Sequence, residues 1–141
     1  MRKLTVVMLL ACACLPAGAQ PPAVVPGSAQ ASSSIAYKSV AEALAALRAR
    51  TDVTFEEQKS GWLVALEPGG ATSWTFVPRS HLAWPAVVKR SLVDLGAGDY
   101  QILMSILCEG RAKACEELTA DFNARNEKVR QEIARERAQR K

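Results

Sequence analysis

Cys108 and Cys115 are the two residues whose type and spacing most directly indicate chemistry. Six residues separate them, so the pair could form a disulfide, act as a redox pair or contribute to a metal site. A tetrahedral metal site needs about four ligands, which two thiols and the single histidine of the chain do not supply. Because the chain also carries an export signal, described below, the prediction is a structural disulfide, with a redox pair as the alternative.

Catalytic chemistry has few candidate residues. His81 is the only histidine, so any Ser/His/Asp or Cys/His arrangement must use it. Its neighbour Ser80 carries no weight, because catalytic partners meet in space and need not be adjacent in sequence. The carboxylates considered for acid–base work are Glu56, Glu57, Glu67, Asp94 and Asp99. The chain contains no phosphate loop, metal motif or dinucleotide fingerprint, so we predict no catalytic residue, metal or cofactor.

A loop rich in cations and aromatics is the best candidate for a binding surface. We predict that this surface consists of Arg79, His81, Trp84, Lys89 and Arg90. An aromatic side chain surrounded by cations is typical of recognition sites. In the alternative interpretation Trp84 packs on the sheet, and Pro78 and Pro85 only bracket the loop.

The N-terminus predicts export. Met1-Arg2-Lys3 precedes an apolar stretch over 4–15, and Ala17 and Ala19 form the small-x-small pattern that signal peptidase recognises. We therefore predict a signal peptide over 1–19, with cleavage after Ala19 and a periplasmic or secreted product. Two alternatives remain: residues 9–12 resemble a lipobox, which would anchor the protein through a lipidated Cys12, or the segment stays as an uncleaved anchor.

Composition divides the rest of the chain. Residues 20–36 are rich in Pro, Ala and Ser without apolar periodicity, which predicts a flexible spacer. The formal charge of +4 falls to +2 once Arg2 and Lys3 leave with the signal. The remaining excess of positive charge is at the C-terminal end, because residues 121–141 include seven Lys or Arg but only four Asp or Glu. This is typical of a solvated helical face, and nucleic acid is not a predicted partner.

The pattern of elements predicts an α+β domain over 37–124. Ser39 and Glu42 form a capping box for a short helix with Val40, Leu44 and Leu47 on one face. Alternating segments joined by Gly- and Pro-rich turns then predict an antiparallel meander of four to five strands. The candidate strands are 53–58, 62–67, 71–77, 86–95 and 100–108. A long C-terminal helix from about Arg111 should help to cover the sheet.

The sequence predicts two features of this C-terminal half in more detail. Cys108 ends a row of one parity in the last strand, and Cys115 lies on the apolar stripe of the helix with Leu118 and Phe122, so the two thiols should meet. Beyond Asn123 the apolar stripe thins. We therefore expect the helix to leave the body and to continue as a charged helical extension over 125–141.

A resemblance adds to these inferences. Residues 74–78, His81, residues 85–90, Cys108 and Cys115 are similar to those of a group of small secreted proteins from proteobacteria, over roughly 37–126. Some members carry a DnaJ-like chaperone label. A J-domain is helical and needs a His-Pro-Asp turn, whereas Leu82 follows His81 here.

Together these observations predict an exported, non-enzymatic periplasmic or envelope protein that binds a partner. The partner would be a protein or another envelope component, with a membrane involved only if Cys12 is lipidated. One alternative is a small periplasmic enzyme that uses His81 and a carboxylate. Another is a periplasmic chaperone-like protein that uses the charged C-terminal helix.

Overall fold

The structure, a computed structural model, describes residues 34–139. The predicted signal peptide, its cleavage after Ala19, the lipidation of Cys12 and most of the predicted spacer lie outside these residues. Between Ser34 and Gln139, no helix is both long and apolar enough to cross a membrane.

The described chain contains one short helix, five strands and one long helix. Helix α1 spans Val40–Arg48 and helix α2 spans Ala112–Gln139. The strands are β1 (Thr54–Glu57), β2 (Leu63–Leu66), β3 (Thr72–Phe76), β4 (Ala86–Gly96) and β5 (Asp99–Cys108). These elements confirm the α+β class, and the strand bounds differ from the predicted ones by one residue at most.

Helix α1 begins where the capping box predicts. The Ser39 hydroxyl accepts a hydrogen bond from the Glu42 amide at 3.1 Å. The Glu42 carboxylate accepts one from the Lys38 amide at 2.8 Å, so the two side chains satisfy one amide of the first turn and one just before the helix. The helix buries Val40 and Leu47 against the sheet.

The five strands form one antiparallel meander in the order β1-β2-β3-β4-β5. Successive side chains on a strand point to opposite faces, so each face has its own core. On one face Trp74 and Val87 pack with α1, and on the other Val88 packs with Leu118 and Phe122 of α2. The fold is therefore three layers, with the sheet between the two helices.

The last two strands form the longest hairpin, and their turn needs a left-handed backbone. Ala97 and Gly98 have φ values of 53° and 78°, as a two-residue turn of this kind requires at both central positions. The turn closes at the paired residues Gly96 and Asp99, with a register irregularity between Asp94 and Gly96.

Helix α2 stays beside this hairpin, which corrects the expectation that it leaves the body after Asn123. Asn126 is only 4% exposed, and Val129 and Ile133 are half-buried. Near the end of the helix, Arg137 donates hydrogen bonds to the Asp99 carboxylate and to the Ala97 carbonyl. The apolar stripe thins because polar side chains take over its contacts with the sheet.

Candidate binding surface

The predicted disulfide is present and joins the end of the sheet to α2. Cys108 is the last residue of β5, Cys115 lies in the first turns of α2, and their sulfur atoms are 2.01 Å apart. Cys108 shares a face with Met104 and Ile106, as the strand parity predicts. The pair closes a short ring, which fixes the direction in which α2 leaves the sheet.

The two residues that follow Cys108 connect this corner to both neighbouring elements. Glu109 donates its amide hydrogen to the Pro85 carbonyl at 2.9 Å. Its carboxylate accepts a hydrogen bond from the Val40 amide at 3.1 Å, at the positive end of α1. The backbone of Gly110 lies against Ala83, where a β-carbon would come within 2.6 Å of the Ala83 carbonyl oxygen.

The corner supports residues 78–85, which connect β3 to β4 and are called the Trp84 loop below. Two turns order this loop: the His81 amide donates to the Pro78 carbonyl at 2.9 Å and the Trp84 amide donates to the His81 carbonyl at 3.0 Å. Ala83 is fully buried in the core beside α2. The loop is thus held by its backbone and by one small side chain.

The largest side chains of the loop point away from the core. Leu82 is 68% exposed and Trp84 is 45% exposed. The Arg79 guanidinium lies 5.7 Å from the centre of the Trp84 ring, within the range of a cation–π contact. An open depression of about 560 Å³ adjoins these residues and is also lined by Glu109 and Arg111. Of these two neighbouring residues, Ala83 makes the contact with the core and Trp84 is partly exposed.

His81 has a structural role in this loop. Its ring meets the ring of Trp62 edge-on, with centroids 5.2 Å apart. Its Nδ1 atom accepts a hydrogen bond from the Ala83 amide at 3.1 Å. A nitrogen that accepts from an amide carries no proton, so the proton of the neutral ring is on Nε2. In a catalytic triad, by contrast, Nδ1 carries the proton and donates a hydrogen bond to a carboxylate, and Nε2 acts as the base.

The surroundings of His81 nevertheless contain acidic groups. A second depression of about 270 Å³ is lined by His81 and Ser80 and by Glu117 and Asp121 of α2. Across the described residues, no hydrogen bond links His81 to either carboxylate or to the Ser80 hydroxyl. The same part of the chain holds no cluster of three or more His, Cys, Asp or Glu side chains that could bind a metal ion.

The structure does not bring Lys89 and Arg90 to the Trp84 loop. The two residues are adjacent in β4 and therefore point to opposite faces of the sheet. Lys89 lies on the α1 face, where its ammonium is 5.2 Å from the centre of the Trp74 ring. Arg90 lies on the α2 face. Of the five residues predicted as one surface, the structure brings together Arg79, His81 and Trp84.

Arg90 belongs to a separate cluster with Phe122 and Arg125 of α2. The Arg90 guanidinium is 5.5 Å from the centre of the Phe122 ring and that of Arg125 is 5.2 Å from it. These residues line a groove of about 430 Å³, called the arginine groove below, between α2 and the exposed part of the sheet. The sheet side of the groove consists of Trp62, Val64, Leu66, Ser73 and Thr75, with Gln58, Ser60 and Gly70 at its margin.

Two residues at this cluster, Arg125 and Asn126, were not identified from the sequence. Arg125 was considered only as part of the charged helical surface, and Asn126 was not considered. Asn126 continues the helical spacing of Leu118 and Phe122, and its carbonyl oxygen is 3.5 Å from an Arg90 nitrogen. Asn126 could have been found from the sequence, because a polar residue that continues an apolar stripe is expected to be buried and to have a polar partner.

We compared the chain with protein-family models, with curated proteins and with solved structures, and none of them matches it.

Proposed function

We propose that this is an exported, non-enzymatic protein of the periplasm or of the extracellular space, which binds a partner protein or envelope component through the Trp84 loop. The observation that carries the proposal is the exposure of Trp84 and Leu82 on a loop whose backbone is held in place. A rigid, exposed aromatic side chain loses little conformational entropy on binding. Such residues are frequent energetic centres of protein interfaces.

The disulfide supports the compartment in this proposal. Disulfides persist outside the cytoplasm, where the environment is oxidising. Cys108 and Cys115 are bonded in the structure, and their ring stabilises the corner that supports the Trp84 loop. Intact-mass analysis of the mature protein from the periplasm should show a chain that begins at Gln20 and lacks two hydrogens. A chain that begins at a lipidated Cys12 would instead place the protein at a membrane surface.

The charges around the loop indicate the partner's chemistry. Arg79 and Arg111 both line the depression beside Trp84, whereas the Glu109 carboxylate is hydrogen-bonded to the start of α1. A partner surface with an apolar side chain next to a carboxylate would complement this arrangement. The hydrogen bond that His81 Nδ1 accepts from the Ala83 amide favours this binding role over the enzyme alternative, because in a catalytic triad Nδ1 is a donor to a carboxylate.

The test is a photo-crosslinking experiment in periplasmic extract. A photoreactive residue at position 82 should give a specific adduct, whereas the same residue at position 95, which is also strongly exposed, should not. Trp84→Ala should then weaken adduct formation by about tenfold or more, the effect of an anchor residue. Tyr100→Ala is the matched control, because Tyr100 is 42% exposed on the distant hairpin.

Circular dichroism shows whether the variants fold. If Trp84→Ala unfolds, Trp84 is a core residue and the proposed surface is wrong. If position 95 gives the same adduct as position 82, the contact is not specific to this loop. Loss of a measured catalytic activity in His81→Gln, with the fold retained, would favour the enzyme alternative.

A further inference from the structure

We propose that the arginine groove is a second binding site, which holds a small organic carboxylate: its carboxylate would lie between Arg90 and Arg125, and its apolar body on Trp62 and Val64. This site is on the α2 face of the sheet and does not involve the exposed side chains of the Trp84 loop. Trp62 also touches His81 of that loop, so the two sites are neighbours with different exposed contact residues.

The first observation is that Arg90 is a half-buried cation without a carboxylate partner among the described residues. Its Nε atom is buried and has no hydrogen-bond partner within residues 34–139. Its one hydrogen bond to a side chain, at 3.5 Å to the Asn126 carbonyl oxygen, is long. Guanidinium groups in such positions are normally paired, because an unsatisfied buried donor is costly.

The second observation is that the charged group sharing the Phe122 ring with Arg90 has the same sign. Arg125 lies over the same Phe122 ring as Arg90. Burial first, and the Arg125 charge second, lower the pKa of the Arg90 guanidinium below its ordinary value. The two guanidiniums carry like charges and repel each other, and an anion between them would relieve this repulsion.

The part of the chain that the structure describes does not offer that anion. Glu56 is the carboxylate that the register places on this face beside Val64, and its strand is three strand spacings, about 14 Å, from the strand of Arg90. Asp121 lines the depression beside His81 instead. The described residues that line the groove include no Asp or Glu, so the anion in this proposal comes from another molecule.

The rest of the groove fits an apolar body of limited size. Trp62, which directly precedes β2, and Val64 and Leu66 within it lie on the α2 face and are only half-buried, because α2 lies over the β4–β5 side of the sheet. The volume of about 430 Å³ is that of a small-molecule site. Two guanidiniums above an apolar floor favour a monoanion with one aromatic or branched aliphatic group.

The proposal is tested with three probes that share one apolar body: 3-phenylpropanoate, its neutral amide and the corresponding cationic amine. Each is titrated into the ¹⁵N-labelled mature protein and followed by amide chemical shifts. The carboxylate should shift amides of β2 and of α2 near Phe122, and should bind at least about tenfold more tightly than the amide, since the loss of charge-assisted hydrogen bonds has about that effect. The amine should not bind.

Variants assign the selectivity to the two arginines. Arg125→Gln should weaken carboxylate binding by about tenfold, with amide binding unchanged. Arg135→Gln is the matched control: it removes the same charge from an exposed position about 15 Å further along α2 and should have no effect. Arg90→Met should abolish the preference for the carboxylate. If Arg90→Met does not fold, the Arg125→Gln variant tests the proposal, because Arg125 is exposed.

The outcomes that overturn the proposal are specific. Equal affinity for the carboxylate and the amide would show an apolar groove without anion recognition. Carboxylate-dependent shifts confined to the Trp84 loop would place the ligand at the other surface, and no shift at the solubility limit of the probe would remove the site. None of these results bears on crosslinking from position 82.

Discussion

Gly110 and Ala83 are in direct backbone contact, and this contact joins the disulfide corner to the Trp84 loop. A β-carbon at position 110 would lie 2.6 Å from the Ala83 oxygen, 2.8 Å from its carbonyl carbon and 3.0 Å from its α-carbon. All three are backbone atoms, so no side chain can move aside. Gly110 is not among the glycines with positive φ. Glycine is therefore required here for close approach.

Gly110→Ala should destabilise the protein by about 1–3 kcal/mol, the usual effect of forcing an extra carbon into a packed site. Urea unfolding followed by circular dichroism measures this change. Arg111→Ala, at the exposed neighbouring position, should leave the unfolding midpoint nearly unchanged. Amide shifts in Gly110→Ala should change over residues 78–85. An Ala variant as stable as the parent would mean that the loop moves freely relative to the corner.

Removal of the Cys108–Cys115 disulfide should lower the free energy of unfolding by about 2–3 kcal/mol, because the open chain gains conformational entropy in the unfolded state. The double variant Cys108→Ser, Cys115→Ser and the parent protein treated with a reductant should give the same urea midpoint. Alkylation before reduction should label neither thiol in the parent. Free thiols there, or an unchanged midpoint after reduction, would contradict the prediction.

We expect the protein to lose stability in acid as the Glu67 carboxylate becomes protonated. Burial tends to raise its pKa, but the hydrogen bonds from the Trp74 indole at 2.8 Å and from Arg50 at 3.0 Å outweigh that effect, and the pKa of Glu67 is lowered. The folded state then binds a proton less readily than the unfolded state. The contribution of the Glu67 carboxylate to the free energy of unfolding is complete above its unfolded pKa of about 4.5. It is lost as the pH falls through the lower pKa of the folded state.

Glu67→Gln should therefore reduce stability by about 1 kcal/mol at pH 7 and flatten the decline below pH 5. Thermal unfolding between pH 3 and pH 7 measures both effects. The exposed Glu57→Gln serves as the control and should follow the parent curve. If both variants show the same acid dependence as the parent, the Trp74–Glu67–Arg50 contacts do not stabilise the charged carboxylate.

Ala97 has a φ of 53°, which residues with a β-carbon rarely adopt. Ala97→Asn should raise the free energy of unfolding by about 0.5–1 kcal/mol, because Asn followed by Gly is the preferred pair for this turn. Ala97→Val should have the opposite effect, since a β-branched residue is disfavoured at positive φ. Urea unfolding midpoints measure the stability of the parent and of the two variants. Any order other than Asn, Ala, Val would show that the turn is not left-handed in solution.

Much of the local structure could be predicted from the sequence. The capping residues Ser39 and Glu42 determine where α1 begins, and the turn residues determine the hairpins and therefore the antiparallel order of the strands. The parity of β5 and the apolar stripe of α2 bring Cys108 and Cys115 together. These predictions succeed because each depends on residues close in the chain. The separation of Lys89 from Arg90 could also have been predicted, because adjacent residues of a strand face opposite ways.

The sequence by itself determined the elements, their order and the disulfide. Only the tertiary structure decided how much of its face α2 covers, and the uncovered part over β2 forms the arginine groove. Arg125 and Arg90 are far apart in the chain, and their approach depends on the packing of Phe122 against the sheet. Likewise, Ala83 packs inside and Trp84 stays exposed because Gly110 leaves space for the loop backbone. Contacts of this kind depend on the whole fold, whereas periodicity and turn chemistry are local.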